Sequence, residues 1–267
     1  MNAIEIQDIG VGYGRELIIR DLSVSIPEKK ITTVIGPNGC GKSTLVKTIA
    51  RILQVRCGSV FLDGKAIHTQ DTRELAKQLA VLPQSADAPA GLTVAELVSY
   101  GRFPYRRGMG TLSRTDYEYV RWAIDVTGLG GLKDRPIGTL SGGQRQRAWI
   151  AMALAQGTGI VVLDEPTTYL DMAHQLEILL LLQRLNREEG RTIVMVLHDL
   201  NHASRFSDFL IAMRDGRVVA TGTPKEVMTC ENLRRGFQID ADLAVCPYSS
   251  NPICLSYRLC AAEEGTA

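Results

Sequence analysis

A glycine-rich segment that ends in Lys-Ser carries the clearest chemistry in this chain of 267 residues. Residues 36–43 read GPNGCGKS, the G-x-x-x-x-G-K-S pattern of a phosphate-binding loop (P-loop), between a β-branched apolar run and an amphipathic segment. Glycines let backbone N–H groups wrap a polyphosphate, and the following helix N-terminus favours negative charge. We therefore expect Lys42 to reach the β- and γ-phosphates and the Ser43 hydroxyl to hold Mg²⁺. The predicted nucleotide-binding residues here are Gly36, Pro37, Asn38, Gly39, Cys40, Gly41, Lys42, Ser43 and Thr44.

Two buried-strand patterns further along the chain end in residues that can act on a phosphate. The apolar run 159–163 is followed by Asp164 and Glu165, and the run 192–197 is followed by His198. The carboxyl ends of parallel strands meet at one edge of a sheet. We expect Asp164 to support Mg²⁺, Glu165 to orient and deprotonate a water, and His198 to sense a phosphate. The alternatives are a solvated acid pair before Pro166 and a structural histidine.

Three weaker signals concern polar or aromatic groups near predicted strand and helix ends. Gln84 follows a short strand, and its amide would lie at the strand's end. Tyr13 lies in a predicted glycine-rich loop, residues 10–14, where it could stack on a planar base or pack locally. The run 141–144, Ser-Gly-Gly-Gln, precedes an alanine-rich helix predicted over 145–156. Ser141 can cap that helix, and its glycines expose N–H groups to an anion.

Composition excludes several classes of protein. Apolar residues make up 45% and charged residues 22%, as in globular domains with a core. The 30 basic and 29 acidic residues nearly cancel, so no overall basic field points to nucleic acid. The N-terminus lacks a signal-peptide pattern, and no apolar stretch is long enough to span a membrane. These features predict a soluble, cytosolic chain whose action at a membrane would require other subunits.

The chain has six cysteines, for which free thiols are the default expectation. The last three, Cys246, Cys254 and Cys260, are spaced by eight and six residues, which is no standard zinc pattern. A metal or iron–sulfur role for these three residues is the alternative.

Apolar periodicity predicts the elements around these residues. Strands at 3–9, 17–26 and 59–62 suggest a small antiparallel sheet beside the strand at 31–35. A linker at 85–91 and helices starting at Thr93 and Ser113 make 86–157 a helical insert. Other predictions are helices over 72–79 and 175–185, a hairpin around residues 215–216, and a helix capped by Thr223.

The segment 101–110 is basic and aromatic, and contains Arg102, Arg106 and Arg107. It is predicted to be a loop that contacts nucleic acid or a protein partner, or one that is simply solvated. It is too short to argue for nucleic acid.

Taken in order, these motifs resemble the nucleotide-binding subunit of ATP-binding cassette (ABC) transporters over roughly residues 3–255. GPNGCGKS resembles Walker A, LPQ at 82–84 the Q-loop, LSGGQ at 140–144 the signature, and IVVLDE at 160–165 Walker B. TYLD at 168–171 resembles the D-loop, and His198 the switch histidine. LSGGQ decides the resemblance, because other P-loop ATPases lack it.

The resemblance implies an α/β fold: a P-loop NTPase with a RecA-like core, an N-terminal antiparallel β-subdomain and an inserted helical subdomain. It would be a single ABC ATPase domain over residues 1–267. The helical subdomain would cover about 86–157 and a C-terminal tail about 236–267.

The resemblance also implies a head-to-tail dimer of two copies with two ATP molecules at the interface. Ser141, Gly142, Gly143 and Gln144 of one copy would complete the site that Walker A of the other begins. Tyr13 would stack on adenine, Gln84 would sense Mg²⁺ and the attacking water, and Asp171 would communicate across the dimer. Asp164 would support Mg²⁺, Glu165 would be the general base, and His198 would contact the γ-phosphate.

Three stretches narrow the subfamily to importers of iron–siderophore, haem and vitamin B12: GRFPYR at 101–106, residues 164–182 and residues 196–224. Iron(III)–siderophore is the first choice. The chain would then hydrolyse ATP as a peripheral subunit on the cytoplasmic face of the membrane. Its partners would be integral-membrane permease subunits, whose coupling helix docks on the helical insert, and indirectly a substrate-binding protein; no nucleic acid is expected.

Other classes remain as alternatives to an importer subunit. They are a soluble ABC ATPase of DNA repair, translation or iron–sulfur assembly, and an exporter subunit. Cys246 departs from the subfamily pattern, because an acidic residue is more usual at that position.

Overall fold

The computed structural model describes residues 1–84, 89, 91–106 and 111–260. Within these residues there are twelve strands and nine α-helices. The strands are β1 (Asn2–Tyr13), β2 (Glu16–Pro27), β3 (Ile31–Ile35), β4 (Cys57–Leu62), β5 (Lys65–Ala66), β6 (Leu79–Leu82), β7 (Ile160–Leu163), β8 (Thr192–Val196), β9 (Phe209–Arg214), β10 (Arg217–Gly222), β11 (Ile239–Val245) and β12 (Pro252–Leu259). The helices are α1 (Lys42–Ile49), α2 (Thr72–Ala76), α3 (Val94–Ser99), α4 (Arg114–Val126), α5 (Gly142–Ala155), α6 (Met172–Glu189), α7 (Leu200–Phe206), α8 (Pro224–Val227) and α9 (Cys230–Phe237).

A six-stranded sheet in the order β10-β9-β3-β8-β7-β6 forms the centre of the molecule. Its strands are parallel except β10, which pairs antiparallel with β9. Every residue of β3, β7 and β8 is buried, as expected for parallel strands covered on both faces. The register pairs Val34 with Val196 and Leu163 with Met195, so these three strands end at the same edge.

Side chains that alternate along the central strands belong to two different hydrophobic cores. Val161 and Leu163 of β7 pack with the core that includes α3, α4, α5 and α6. Val162, between them, packs with the core formed by α1 and the antiparallel sheet. The predicted period-two strands and buried parallel strands are therefore layers of one α/β fold.

The predicted antiparallel sheet beside the P-loop strand is confirmed, with the order β2-β1-β4-β5. The prediction of a loop over residues 10–14 is wrong, because β1 continues to Tyr13 through several register shifts. Glycine is required within this strand end: a Cβ at Gly12 would lie 1.8 Å from the Glu16 carbonyl oxygen. Glycine here marks a close backbone approach rather than the end of a strand.

The predicted helices after residue 91 are present, and Thr93, Ser113 and Ser141 each form a capping box. Helix α2 ends at Ala76, earlier than expected, because the chain must extend again to enter β6. Helix α6 is longer than the predicted 175–185. The hairpin β9–β10 and the capping box at Thr223 are as predicted. Most of the predicted linker 85–91 lies outside the described residues.

The expectation that Arg102 lies in an open, basic loop is wrong. The segment Tyr100–Tyr105 is a 3₁₀-helix, and only 3% of Arg102 is exposed. Its Nε donates to Asp116 Oδ1 at 2.8 Å, and its guanidinium lies over the rings of Tyr105 and Tyr119. Arg102 therefore belongs to a buried ion pair inside the helical region. Residues 107–110 of the predicted loop lie outside the described residues.

The end of the chain is more regular than the sequence predicts. Helix α9 leads into an antiparallel hairpin of β11 and β12, in which Leu243 pairs with Cys254. Cys246 lies in the connecting turn and is buried, whereas Cys260 follows β12. In the described residues, no group of three or more potential metal ligands occurs. No helix there is both long and apolar enough to cross a bilayer.

Candidate active site

A cavity of about 510 Å³ opens at the edge where β3, β7 and β8 end. Its walls come from the P-loop, from residues just after β6 and β7, from His198, which lies two residues after β8, and from the β1–β2 turn region. The lining residues are Tyr13, Ile18, Asn38, Gly39, Gly41, Lys42, Ser43, Thr44, Gln84, Glu165, Thr168, Tyr169 and His198. The structure thus brings together residues that are 185 positions apart in the sequence.

The P-loop is held in shape by its glycines and by its own lysine. A Cβ at Gly36 would lie 2.3 Å from the Met213 carbonyl oxygen, and Gly41, the N-cap residue of α1, has φ 103°. Lys42 is buried, and its Nζ donates to the carbonyl oxygens of Gly36 at 2.8 Å and Pro37 at 2.9 Å. The ammonium group is therefore positioned at the mouth of the loop with acceptors that a phosphate can replace.

Cys40 anchors the P-loop without facing the cavity. It is buried, its carbonyl oxygen accepts from Gly216 N–H, and burial raises the pKa of its thiol. The thiol stays neutral at physiological pH, and the residue acts as a small apolar side chain. Its own backbone position, like that of Pro37, contributes to the loop rather than to the cavity lining.

Ser43 and Asp164 supply two side-chain oxygens that could hold a divalent cation. Ser43 Oγ donates to Asp164 Oδ1 at 2.9 Å. Asp164 Oδ2 is buried and has no hydrogen-bond partner among the described residues. Burial raises the pKa of this carboxyl group, which the hydrogen bond from Ser43 only partly offsets. A hydroxyl and a buried carboxylate oxygen without a partner fit Mg²⁺, which binds few protein oxygens and completes its shell with phosphates and water.

Glu165 is the centre of a hydrogen-bond network in the cavity. Its Oε2 accepts from Gln84 Nε2 at 2.6 Å and from Thr168 Oγ1 at 3.0 Å, and its Oε1 lies 2.7 Å from His198 Nε2. Its side chain is largely buried, and its backbone has φ 55°. Three predicted residues, Gln84, Glu165 and His198, therefore form one unit. The sequence does not indicate the bond of Thr168 to Glu165, because Thr168 is recognisable there only as part of the stretch that resembles the D-loop.

Tyr13 lies at the rim of the cavity and is 51% exposed. Ile18, on the paired strand β2, and Tyr169 line the same rim. An exposed ring beside an apolar side chain is able to stack on a planar base, and the stacking of Tyr13 on adenine stays a prediction. No pattern in the sequence indicates Ile18, because the pairing of β1 with β2 places it there.

The signature residues and Asp171 do not line this cavity. Ser141 caps α5 by accepting from Gln144 N–H, and the Gln144 side chain accepts in return from Ser141 N–H. Asp171 caps α6, and hydrogen bonds from the backbone and ring of His174 hold the pKa of Asp171 below its usual range. Gly142 and Gly143 form the first turn of α5. These groups form a second cluster, on the N-termini of two helices.

Comparisons with known proteins agree with this geometry. A family model described as ABC transporter matches residues 19–168. The iron(3+)-hydroxamate import ATP-binding protein FhuC of Bacillus subtilis is 56% identical over 264 residues, which cover 99% of this chain and 98% of that protein. This chain belongs to the ABC transporter family.

Two solved structures relate the ABC fold of this chain to assembled proteins. One is the inward-facing conformation of a transporter provisionally assigned to the metal-chelate type, with a TM-score of 0.82, 26% identity and coverage of 95% of this chain and 96% of that chain. The other is an ATP-binding cassette caught as a post-hydrolysis dimer with ADP and phosphate. It has a TM-score of 0.72, 29% identity and coverage of 82% of this chain and 98% of that chain.

Proposed function

We propose that this chain is the ATP-hydrolysing subunit of an ABC importer that takes up an iron(III)–siderophore or a related metal chelate. The hydrogen-bond network centred on Glu165, beside the P-loop, carries the ATPase part of the proposal. The 56% identity with the hydroxamate importer subunit over nearly the whole chain supports the substrate class. Permease subunits, which are separate chains, would supply the membrane path.

In the proposed site, adenine stacks on Tyr13 and the triphosphate lies along the P-loop. Lys42 exchanges its present acceptors, the carbonyls of Gly36 and Pro37, for phosphate oxygens. Ser43 and Asp164 would hold Mg²⁺, with the Gln84 side chain nearby. The bound ion would neutralise developing charge on the phosphates.

Glu165 is the proposed general base. Its two oxygens contact Gln84, Thr168 and His198, which fixes the carboxylate in the cavity wall. On ATP binding, His198 would turn to the γ-phosphate and Gln84 to the Mg²⁺ shell, so that Oε1 becomes free to accept a proton from water. Thr168 would keep its bond to Oε2 and hold the base in orientation.

A second copy of the chain would complete each site. Ser141, Gly142, Gly143, Gln144 and Asp171 lie outside the cavity of their own subunit, which supports a head-to-tail dimer. The dimeric cassette that resembles this chain supports the same arrangement. ATP binding would close the dimer and hydrolysis would open it, which converts the chemistry into motion.

We further propose that residues 1–267 form one ATPase domain, with a helical subdomain at about 86–157 and a tail at about 236–267. The helical subdomain would receive the permease coupling helix, and a substrate-binding protein would act on the permease from the other side. The chain would therefore lie at the cytoplasmic face of the membrane as a peripheral subunit.

Glu165→Gln tests the ATPase part of the proposal. The variant keeps the shape of the side chain and one acceptor oxygen, which can still accept from Gln84 and Thr168, but it cannot take up a proton. We expect it to bind ATP, to hydrolyse it at least about 100-fold more slowly than wild type, and to accumulate as a dimer on gel filtration with MgATP. Wild-type turnover in this variant would exclude Glu165 as the base.

Two controls separate the remaining parts. Ser141→Arg should still bind ATP as a monomer but neither dimerise nor hydrolyse, and surviving activity would rule out the head-to-tail site. Cells that contain the chain with its permease and binding protein should take up a radiolabelled iron(III)–hydroxamate, and Glu165→Gln should abolish this uptake. Hydrolysis without uptake of any iron(III) chelate would overturn the import assignment alone.

A further inference from the structure

His174 lies between Asp171 and the signature residues 141–144, none of which lines the cavity of its own subunit. It is the third residue of α6, after the capping residue Asp171. Its Nδ1 lies 2.8 Å from Asp171 Oδ1, and its backbone N–H donates to the same oxygen at 2.9 Å. A carboxylate only accepts, so Nδ1 carries the proton and the ring orientation is fixed.

The other edge of the His174 ring lies on the first turn of the signature helix. A Cβ placed at Gly143 would be 2.6 Å from His174 Cδ2 and 3.2 Å from Nε2. The imidazole therefore fills the space that any side chain at position 143 would need. Its Nε2 edge lies beside Gly143, at the helix end where backbone N–H groups have no intrahelical acceptor.

We propose that His174 is a positioning residue that holds the signature helix and Asp171 in one fixed arrangement, so that both meet the nucleotide of the opposite subunit together. This role rests on the head-to-tail dimer of the proposed function. Both contacts with His174 use Oδ1 of Asp171, and the Asp171 side chain is 66% exposed, so Oδ2 remains accessible to the other subunit.

The cluster has few other ties that could replace this one. Gln175 Nε2 donates to the Leu170 carbonyl oxygen, which shapes the turn before α6, and Arg147 reaches Glu177 at 3.8 Å, one helical turn further along. At the first turn of α5, a Cβ at Gly142 would lie 4.0 Å from Leu170 Cδ2, a looser approach than that of His174 to Gly143. A shift of the signature helix toward α6 would therefore press first on the His174 ring.

Three substitutions separate the two contacts of the ring. His174→Phe keeps a ring on Gly143 but loses the donor to Asp171. His174→Asn keeps a donor near Asp171 but is too short to cover Gly143. His174→Ala removes both. The matched control is His202→Ala, because His202 occupies the same position after the capping residue Asp199 in α7, with a backbone bond of 2.7 Å.

The measurement is ATP-dependent dimerisation in the Glu165→Gln background, together with ATP affinity of the monomer and kcat and KM of the variants without the Glu165 change. We expect His174→Ala to raise the dimer Kd and lower kcat by about tenfold or more, while monomer ATP affinity and KM change less than about threefold. Phe and Asn should fall between wild type and Ala. His202→Ala should dimerise like its parent.

Three results would contradict the positioning role of His174. If His174→Ala dimerises as tightly as its parent and keeps its kcat, His174 has no positioning role, although the dimer stands. If monomer ATP affinity falls in step with dimerisation, the residue is merely structural and the proposal is wrong. If the Glu165→Gln parent forms no dimer with ATP, the proposed head-to-tail site itself fails, and the role of His174 fails with it.

Discussion

Glu165 is held in an unusual backbone conformation as well as by three side chains. A non-glycine residue at φ 55° costs about 1–3 kcal/mol, and such residues persist only where their surroundings fix them. The turn after β7 directs the carboxylate into the cavity, where Gln84, Thr168 and His198 bind it. The local strain is thus compensated by bonds that also prepare the base for its proposed role.

Thr168→Val tests the fixed orientation of Glu165 at this scale. Valine keeps the shape of threonine but removes the 3.0 Å bond to Oε2, so the carboxylate gains freedom to rotate. We expect kcat to fall about 10- to 100-fold with little change in KM, since misplacement of a reacting group by about 1 Å has effects of this size. Steady-state ATPase kinetics measure both constants.

The control for this substitution is Thr167→Val. The Thr167 hydroxyl makes no side-chain hydrogen bond within the described residues, although the residue is equally half-buried. It should retain nearly full activity. Equal losses in the two variants would show that the turn as a whole, rather than the bond to Glu165, limits the rate.

At the scale of elements, the helical region is organised around a buried ion pair between the 3₁₀-helix Tyr100–Tyr105 and α4. Arg102 donates to Asp116 and also to the Ala155 carbonyl oxygen at the end of α5, at 2.9 Å. Burial opposes ionisation of Asp116, but hydrogen bonds from Ser113 and Arg102 outweigh it and hold its pKa below the usual range. One guanidinium therefore joins three helical segments.

Arg102→Ala should destabilise the protein strongly, because it leaves Asp116 buried without its partner. Loss of one member of a buried pair costs about 3–5 kcal/mol, which corresponds to a decrease in Tm on the order of 10 °C for a chain of this size. Arg114→Ala is the matched control: Arg114 pairs with Glu118 at 3.3 Å, but its side chain is 95% exposed, so Tm should hardly change. Thermal melts at pH 7 compare the two.

The same pair gives a pH dependence of known sign. Because the folded-state pKa of Asp116 is lowered, its stabilising contribution is present above the ordinary aspartate pKa of about 3.9 and is lost as pH falls through the folded value. The gap in Tm between wild type and Arg102→Ala should therefore narrow as pH falls below about 4. A gap that stays constant with pH would contradict the ionic role of Arg102.

The burial of Arg102 is a feature that the sequence alone does not predict. Periodicity and capping residues predicted the central strands and helices α3 to α5, because those signals are local. They could not tell which arginine of GRFPYR turns inward, since its partner Asp116 is fourteen residues away and only the packing of α4 brings it close. Likewise the sequence predicts that β1 ends before Gly10, although the strand continues to Tyr13. The reason is that glycine is typical both of turns and of close backbone approach within a strand.

In the candidate site, too, local sequence patterns locate some residues, whereas others are placed only by tertiary contacts. The P-loop, Asp164, Glu165 and His198 could be located because each ends a recognisable strand. Thr168 and His174 could not be assigned a role, because their contacts depend on how turns after β7 place neighbouring side chains. Ile18 lines the cavity because β2 pairs with β1, which the sequence around Ile18 does not indicate.

At the scale of the whole molecule, the C-terminal hairpin is fastened to the helix that follows His198. Asn201 of α7 accepts from Cys254 N–H at 2.7 Å and donates to the Cys254 carbonyl oxygen at 3.0 Å, as a neighbouring strand would. Ser204 Oγ adds a bond of 2.5 Å to the Pro252 carbonyl oxygen. Helix α7 begins two residues after His198, so the hairpin restrains the helix that follows the proposed γ-phosphate sensor.

Asn201→Ala should loosen this connection at a distance from the cavity. Two lost hydrogen bonds, each worth about 1 kcal/mol, lower the free energy of unfolding by about 2 kcal/mol, and β12 becomes accessible to proteases. Because α7 is then less restrained, kcat should fall severalfold while ATP affinity is kept. Asn2→Ala, which removes an exposed bond to Glu5, should leave stability, proteolysis and kcat unchanged. If the hairpin resists proteolysis equally in both variants, Asn201 does not fasten it; if it is released and kcat is unaffected, the tail stabilises the fold without restraining His198.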